Sequence, residues 1–186
     1  SIAEDAVAPV TGDLTVNDTD VDGDSLTVIS IDGQTNDAIN LTGSYGSLGW
    51  SDGGNYAYSV DNSDPAVQAL GIGDTITDTF SYTVSDGHGG TATSTLTITI
   101  TGTNDLPTAV ADTATIAEDD VAPATGDLTA NDIDVDTSDV LTVLNIDGQT
   151  DDNINLSGSY GSLDWAADGN YSYTINNALS AVQALA

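Results

Sequence analysis

Apolar and polar residues alternate along several short segments of this chain. In TLTITIT, residues 95–101, Leu96, Ile98 and Ile100 share one face and threonines take the other. In TFSYTVS, residues 79–85, Phe80, Tyr82 and Val84 fall on one face; in NYAYSV, residues 55–60, Tyr56, Tyr58 and Val60 do the same. A period of two, carried by β-branched and aromatic side chains, predicts half-buried strands. Asp-Gly pairs at 32–33, 52–53 and 86–87 predict the turns between them. Short strands with frequent turns predict an antiparallel β-sandwich. One helical turn is predicted at SDPAVQALG, residues 63–71: Asp64 caps it, Pro65 suits its first position and Gly71 stops it.

The pattern then repeats. IAEDAVAPVTGDLTVNDTDVDGDSLTV at 2–28 returns as IAEDDVAPATGDLTANDIDVDTSDVLTV at 116–143. IDGQTNDAINLTGSYGSLGW at 31–50 returns as IDGQTDDNINLSGSYGSLDW at 146–165, and GNYAYSV returns as GNYSYTI. An offset of 114 residues, 115 after one insertion, is the size of a domain. AVQALA at the end of the second copy matches AVQALG at 66–71, and no counterpart of residues 73–101 follows it. The simplest reading is a window on a longer tandem array. Two domains are expected: residues 1–103, without a first strand, and residues 104–186, without the last strands. TGTNDLP at 101–107 reads as the linker.

Charge changes the picture. The chain of 186 residues has 30 acidic side chains, 28 of them Asp, and neither Lys nor Arg, for a formal net charge of −30. Nucleic acid is excluded as a partner, because phosphate binding needs basic side chains. Anionic membranes are excluded on the same ground. At 39% hydrophobic residues the chain is too apolar for a disordered acidic tail. No apolar run is long enough to insert into a membrane, and no N-terminal signal peptide is visible. Without Cys, no disulfide can staple the fold. The missing positive charge must come from solution.

The carboxylates cluster. NDTDVDGDSLTV, residues 17–28, sets Asp18, Asp20, Asp22 and Asp24 at every second position. Two unit charges about 6 Å apart repel by roughly 0.7 kcal/mol in water and about 2.8 kcal/mol at an effective dielectric near 20. A divalent cation converts that cost into a binding site. The spacing resembles the front half of an EF-hand loop, with oxygens at positions 1, 3 and 5 and Gly23 at 6. Position 12 is Ile29, and a strand follows instead of a helix, so the remaining ligands must come from elsewhere. Candidates are Glu4 and Asp5, Glu118 and Asp119, Asn104 and Asp105 in the linker, and Asp86 in the turn SDGHGG. All-oxygen donors favour Ca²⁺ over Mg²⁺. With one His and no Cys, zinc and iron are disfavoured.

These motifs together resemble the VCBS repeat and the cadherin-like domains of RTX-type bacterial adhesins. The resemblance implies tandem Ig/cadherin-like, all-β, Greek-key sandwiches of seven strands. It implies Ca²⁺ near domain junctions and export by a type I system with a C-terminal signal. It carries the first acidic loop to calcium together with its copies Asp132, Asp134, Asp136 and Asp139. It also sets Asn104 and Asp105 opposite Glu118 and Asp119. The second acidic loop departs by lacking the glycine, which leaves equal affinity of the two loops open.

The expected function is a calcium-stiffened extender of a large secreted adhesin on a Gram-negative cell surface, serving adhesion or biofilm formation. Its partners are neighbouring repeats of the same chain. One alternative is a filament subunit completed by strand exchange with neighbouring copies. Another is a glycan- or protein-binding module using Trp50, Trp165, Tyr45 and Tyr160. No enzyme is expected, because the only His, His88, sits in a glycine-rich turn with no nucleophile set around it.

Overall fold

The computed structural model describes residues 1–151 and 155–185. Residues 152–154 of the repeated segment 146–165, and the terminal Ala186, lie outside the described residues. The chain divides into two compact units: Ser1–Asp105 with Asp136–Ser138, and Leu106–Val135 with Asp139–Ala186.

In chain order the first unit holds β1 (Ile2–Ala3), β2 (Val10–Asp13), β3 (Thr27–Ile31), β4 (Leu41–Thr42), β5 (Gly46–Trp50), β6 (Asn55–Val60), α1 (Pro65–Gln68), β7 (Thr75–Ser85) and β8 (Thr91–Thr101). They form two four-stranded sheets, ordered β1-β8-β7-β3 and β2-β6-β5-β4. The unit is a β-sandwich, with eight strands among the described residues instead of the seven implied by resemblance. One pairing departs from antiparallel: β1 runs parallel to β8, with Ile2 opposite Ile100.

The predicted faces point inward. Phe80, Tyr82, Val84, Ile98 and Ile100 from one sheet, and Leu48, Trp50 and Tyr58 from the other, are buried in one core. Tyr58 and Phe80 meet edge to face across it, with ring centroids 6.2 Å apart, an arrangement that the aromatic quadrupole favours. β3 needs a correction of phase. Val28 and Ile31 are three residues apart, so strict alternation would send them to opposite faces. The register shifts between Val28 and Ser30; the bulge resets the phase, and both side chains are fully buried. Asp64 Oδ1 accepts the Ala66 amide at 2.8 Å and starts α1. The turn closes at Ala69, two residues before Gly71. In the predicted turn at 32–33, Asp32 and Gly33 both take positive φ, 47° and 76°, as a tight Asp-Gly reversal requires.

The second unit holds β9 (Ala124–Asp127), β10 (Leu156–Ser157), β11 (Gly161–Trp165) and β12 (Asn170–Ile175). They form one sheet, ordered β10-β11-β12-β9, which repeats the β4-β5-β6-β2 sheet of the first unit. Residues 142–146, TVLNI, match TVISI of β3 closely, yet form no strand apart from the bridge between Ile146 and Gln149. The reason is pairing. In the first unit β3 is an edge strand hydrogen-bonded only to β7, and residues 106–186 contain no counterpart of β7. The same sequence therefore buries Val28 and Ile31 fully but their copies Val143 and Ile146 only in part.

Candidate functional site

The side chains of the first acidic loop do not converge on one point. Both Asp18 carboxylate oxygens accept the Tyr82 hydroxyl, each at 3.2 Å. Burial pushes that hydroxyl above its ordinary range, and the Asp18 charge adds to the rise against an opposing hydrogen bond with Ser94. Asp20 Oδ1 accepts the amides of Asp22 and Asp24, at 2.8 and 3.2 Å. It thereby shapes the turn, a common use of Asp in loops. Asp22 is exposed. Asp24 Oδ2 lies 3.1 Å from Nδ1 of the exposed His88. Asp86 accepts the His88 amide at 2.7 Å and the Gly90 amide at 2.9 Å. The His88 amide bond is the main cause that holds its carboxyl below the usual carboxylate range.

Glu4 stands apart. It follows β1 and is fully buried. Its Oε1 accepts the Thr103 amide at 2.6 Å and the Thr103 hydroxyl at 2.9 Å. Its Oε2 is buried without a hydrogen-bond partner. Asp5, exposed beside it, accepts the same hydroxyl at 3.4 Å. Two residues after Thr103, the Asp105 amide donates to Asp136 Oδ2 at 2.8 Å, and Asp136 is 1% exposed. The Asn104 side-chain amide donates to the Asp105 carbonyl. The first unit thus gathers Glu4, Asp5, Asn104, Asp105 and Asp136 along one run of hydrogen bonds through residues 103–105.

The remaining candidates belong to the second unit. Glu118 is half-buried, with a buried Oε2 that has no hydrogen-bond partner. Asp119 and Asp139 are exposed and Asp134 is half-buried. Asp132 accepts the Val110 amide at 2.8 Å, and the adjacent bridge pairs Thr108 with Ile133. Among the described residues, no group of three or more His, Asp or Glu side chains forms a ready-made metal cluster. Trp50 and Trp165 are buried, 7% and 4% exposed, and so offer no aromatic platform.

One further buried carboxylate lies outside the acidic clusters of the sequence. Asp78 is 2% exposed. It accepts the Ser44 amide at 2.7 Å, the Tyr45 amide at 3.1 Å and the Tyr58 hydroxyl at 2.6 Å. The signal was present: Asp78 has the same parity as Ile76, Phe80 and Tyr82, so the alternation of β7 points it inward. Burial first, then Asp78, raises the Tyr58 hydroxyl far above its ordinary value and keeps it a donor. The clamp ties the two sheets together, and both carboxylate oxygens accept hydrogen bonds.

A buried carboxylate oxygen without a donor is costly unless a cation meets it. Here no basic side chain exists to do so. The neighbouring candidates Asp5, Asn104 and Asp105 would offer side-chain oxygens, the ligand type a hard divalent ion takes. Residues 1–102 and 104–185 each match the bacterial cadherin-like domain. The chain belongs to that family. Bacterial cadherin-like domains are adhesion-type modules, typically without catalytic activity. Among solved structures, the chain is similar to a protocadherin gammaB7 EC3-6 cis-dimer structure at 15% identity and a TM-score of 0.42, covering 94% of this chain and 35% of that one. The cadherin-like chain thus spans about a third of that structure's chain. No curated protein matches it. No described helix is long and apolar enough to cross a membrane.

Proposed function

We propose that these cadherin-like repeats are calcium-stiffened extender modules of a large secreted adhesin on a Gram-negative cell surface, of the VCBS and RTX type. The single observation that carries this reading is Glu4: a fully buried carboxylate with one unpartnered oxygen, in a chain without Lys or Arg. Glu4, Asp5, Asn104, Asp105 and Asp136 are the residues that would hold Ca²⁺ in the first unit, with Glu118 and Asp119 taking the corresponding place in the second. The ion supplies the positive charge that the sequence withholds.

The residues of this chain do the rest. Thr103 fixes one oxygen of Glu4 through two donors and leaves the other for the ion. Within the first unit, Thr103 holds Glu4 and the Asp105 amide meets Asp136. Bending residues 103–105 would pull oxygens away from a shared cation, so loading resists bending. Tandem domains on short linkers flex by default. Extracellular calcium modules bind at roughly 10⁻⁴–10⁻³ M, so external calcium would load the repeats and cytosolic calcium would not.

Isothermal titration of the whole chain with CaCl₂ tests the reading. Saturable binding in that concentration range is expected, with fewer sites in a Glu4→Gln, Asp136→Asn chain. Absence of saturable heat at about 10 mM calcium, well above that range, would overturn it.

A further inference from the structure

We propose that the outer face of the β4-β5-β6 sheet carries a cleft for a neutral oligosaccharide, and that the second unit carries its copy. In the first unit Leu41, Leu48 and Tyr58 pack on the core, so their neighbours Thr42, Ser47 and Ser59 point outward. The register sets these three side by side: Thr42 pairs with Ser47, and Ser47 with Ser59. With Ser44 and Asp61 they line a cleft of about 370 Å³, within the size range of small-molecule sites. Its walls are fixed by hydrogen bonds. The Gly43 amide donates to the Gly46 carbonyl and the Asp61 amide to the Tyr45 carbonyl, both at 2.8 Å. The Ser44 amide donates to the buried Asp78 at 2.7 Å. A cleft already formed loses little freedom when it binds. Every lining residue lies between 42 and 61.

The two copies specify the occupant. The second unit repeats the row as Ser157, Ser162 and Thr174, in the same register across β10, β11 and β12. These line a cleft of about 430 Å³, with Asn176 in the place of Asp61. Thr and Ser exchange at two of the three row positions, so the shared feature is the hydroxyl. Asp61 and Asn176 are anchored alike. Asp61 Oδ1 accepts the Ser63 amide at 2.9 Å, and Asn176 Oδ1 accepts the Ala178 amide at 3.1 Å. The Ser63 hydroxyl, then its amide, hold the Asp61 carboxyl below the usual carboxylate range. The other terminal atom is an acceptor oxygen in one cleft and a donor nitrogen in the other. A cation would lose its partner in the second cleft, and an anion would be repelled in the first. A hydroxyl donates or accepts and suits both. A ligand that meets a row of hydroxyls with hydroxyls of its own is a sugar. With a net charge of −30 and no Lys or Arg, the chain repels acidic sugars, which leaves neutral ones. The clefts share no residue with the calcium candidates, so this inference stands apart from the calcium reading.

Titration of the isotope-labelled 186-residue chain with cellotriose, maltotriose and mannotriose, followed by amide chemical shifts, tests the proposal. Sialyllactose serves as the acidic control. At least one neutral trisaccharide should saturably shift amides within 42–47 and 59–61, and within 157–162 and 174–176. A Ser47→Val, Ser59→Val chain keeps outward side chains that suit a strand and removes two hydroxyls. Binding at the first cleft should weaken about tenfold, the loss of two hydrogen bonds, while the shifts at 157–162 and 174–176 persist. A Ser47→Thr, Ser59→Thr chain keeps both hydroxyls and should bind as wild type does. No saturable shift from any of the three sugars at about 50 mM, where even a millimolar Kd saturates, would overturn the proposal. So would a stronger response to sialyllactose, shifts confined to residues outside both clefts, or unchanged binding by the valine variant.

Discussion

The Tyr58 hydroxyl donates to Asp78 Oδ2 at 2.6 Å inside the core of the first unit. The bond crosses from one sheet of the sandwich to the other. The same carboxylate accepts two amides of the turn between β4 and β5. A charged group is thus buried where the strand phase demands an apolar one, and three donors satisfy it.

Asp78→Ala strands those donors, and each buried unsatisfied group costs about 1–3 kcal/mol. A loss of roughly 3 kcal/mol or more is expected in urea denaturation of the first unit. Tyr58→Phe removes one donor and leaves the two amides in place, so the expected loss is about 1–2 kcal/mol. Equal stability of wild type and Asp78→Ala would show that the clamp contributes nothing.

Glu4→Gln should change sign with calcium. In chelator the substitution removes a buried, half-partnered charge, and the melting temperature should rise or hold. In millimolar calcium it removes a ligand, and the melting temperature should fall below that of wild type. Parallel melting curves with and without calcium would refute a ligand role for Glu4.

Asp86 gives a pH signature. The amides of His88 and Gly90 hold its carboxyl below the ordinary value. A depressed carboxyl contributes stability above its unfolded pKa, about 3.9, and loses it as pH falls through the lower folded value. Wild type should therefore exceed Asp86→Asn in stability at pH 6, and the gap should close below about pH 4. Thermal melts from pH 2.5 to 6 check this; a gap independent of pH would contradict it.

How much of this was legible in the sequence depended on what each feature needs. Strand faces need only local alternation, so Phe80, Tyr82, Val84, Ile98 and Ile100 could be assigned inward from the letters alone. β3 needs a partner. Its sequence occurs twice and forms a strand once, because β7 is present in one unit and has no counterpart in the other. Asp78 is readable as inward-facing by parity, but it belongs to no acidic cluster, and the donors that satisfy it lie 20 to 34 positions away. The burial of Glu4 depends on Thr103, 99 positions away, and no local pattern announces it. The acidic loops make the same point. Asp22 and its copy Asp136 sit in nearly identical motifs, yet Asp22 is exposed and Asp136 is 1% exposed. Asp136 meets the Asp105 amide; Asp22 meets no such segment among the described residues.

The most direct measurement of the central claim is a thermal melt of the intact chain, paired with small-angle scattering, in excess EGTA and in millimolar calcium. Millimolar calcium, at about tenfold over a Kd near 10⁻⁴ M, adds about 1.4 kcal/mol per site, which for domains of this size corresponds to roughly 5–10 °C in Tm. Calcium should raise the melting temperature by about that much and narrow the distribution of maximum dimensions. The same melting temperature and the same scattering curve in both buffers would contradict calcium as the counter-charge of these repeats.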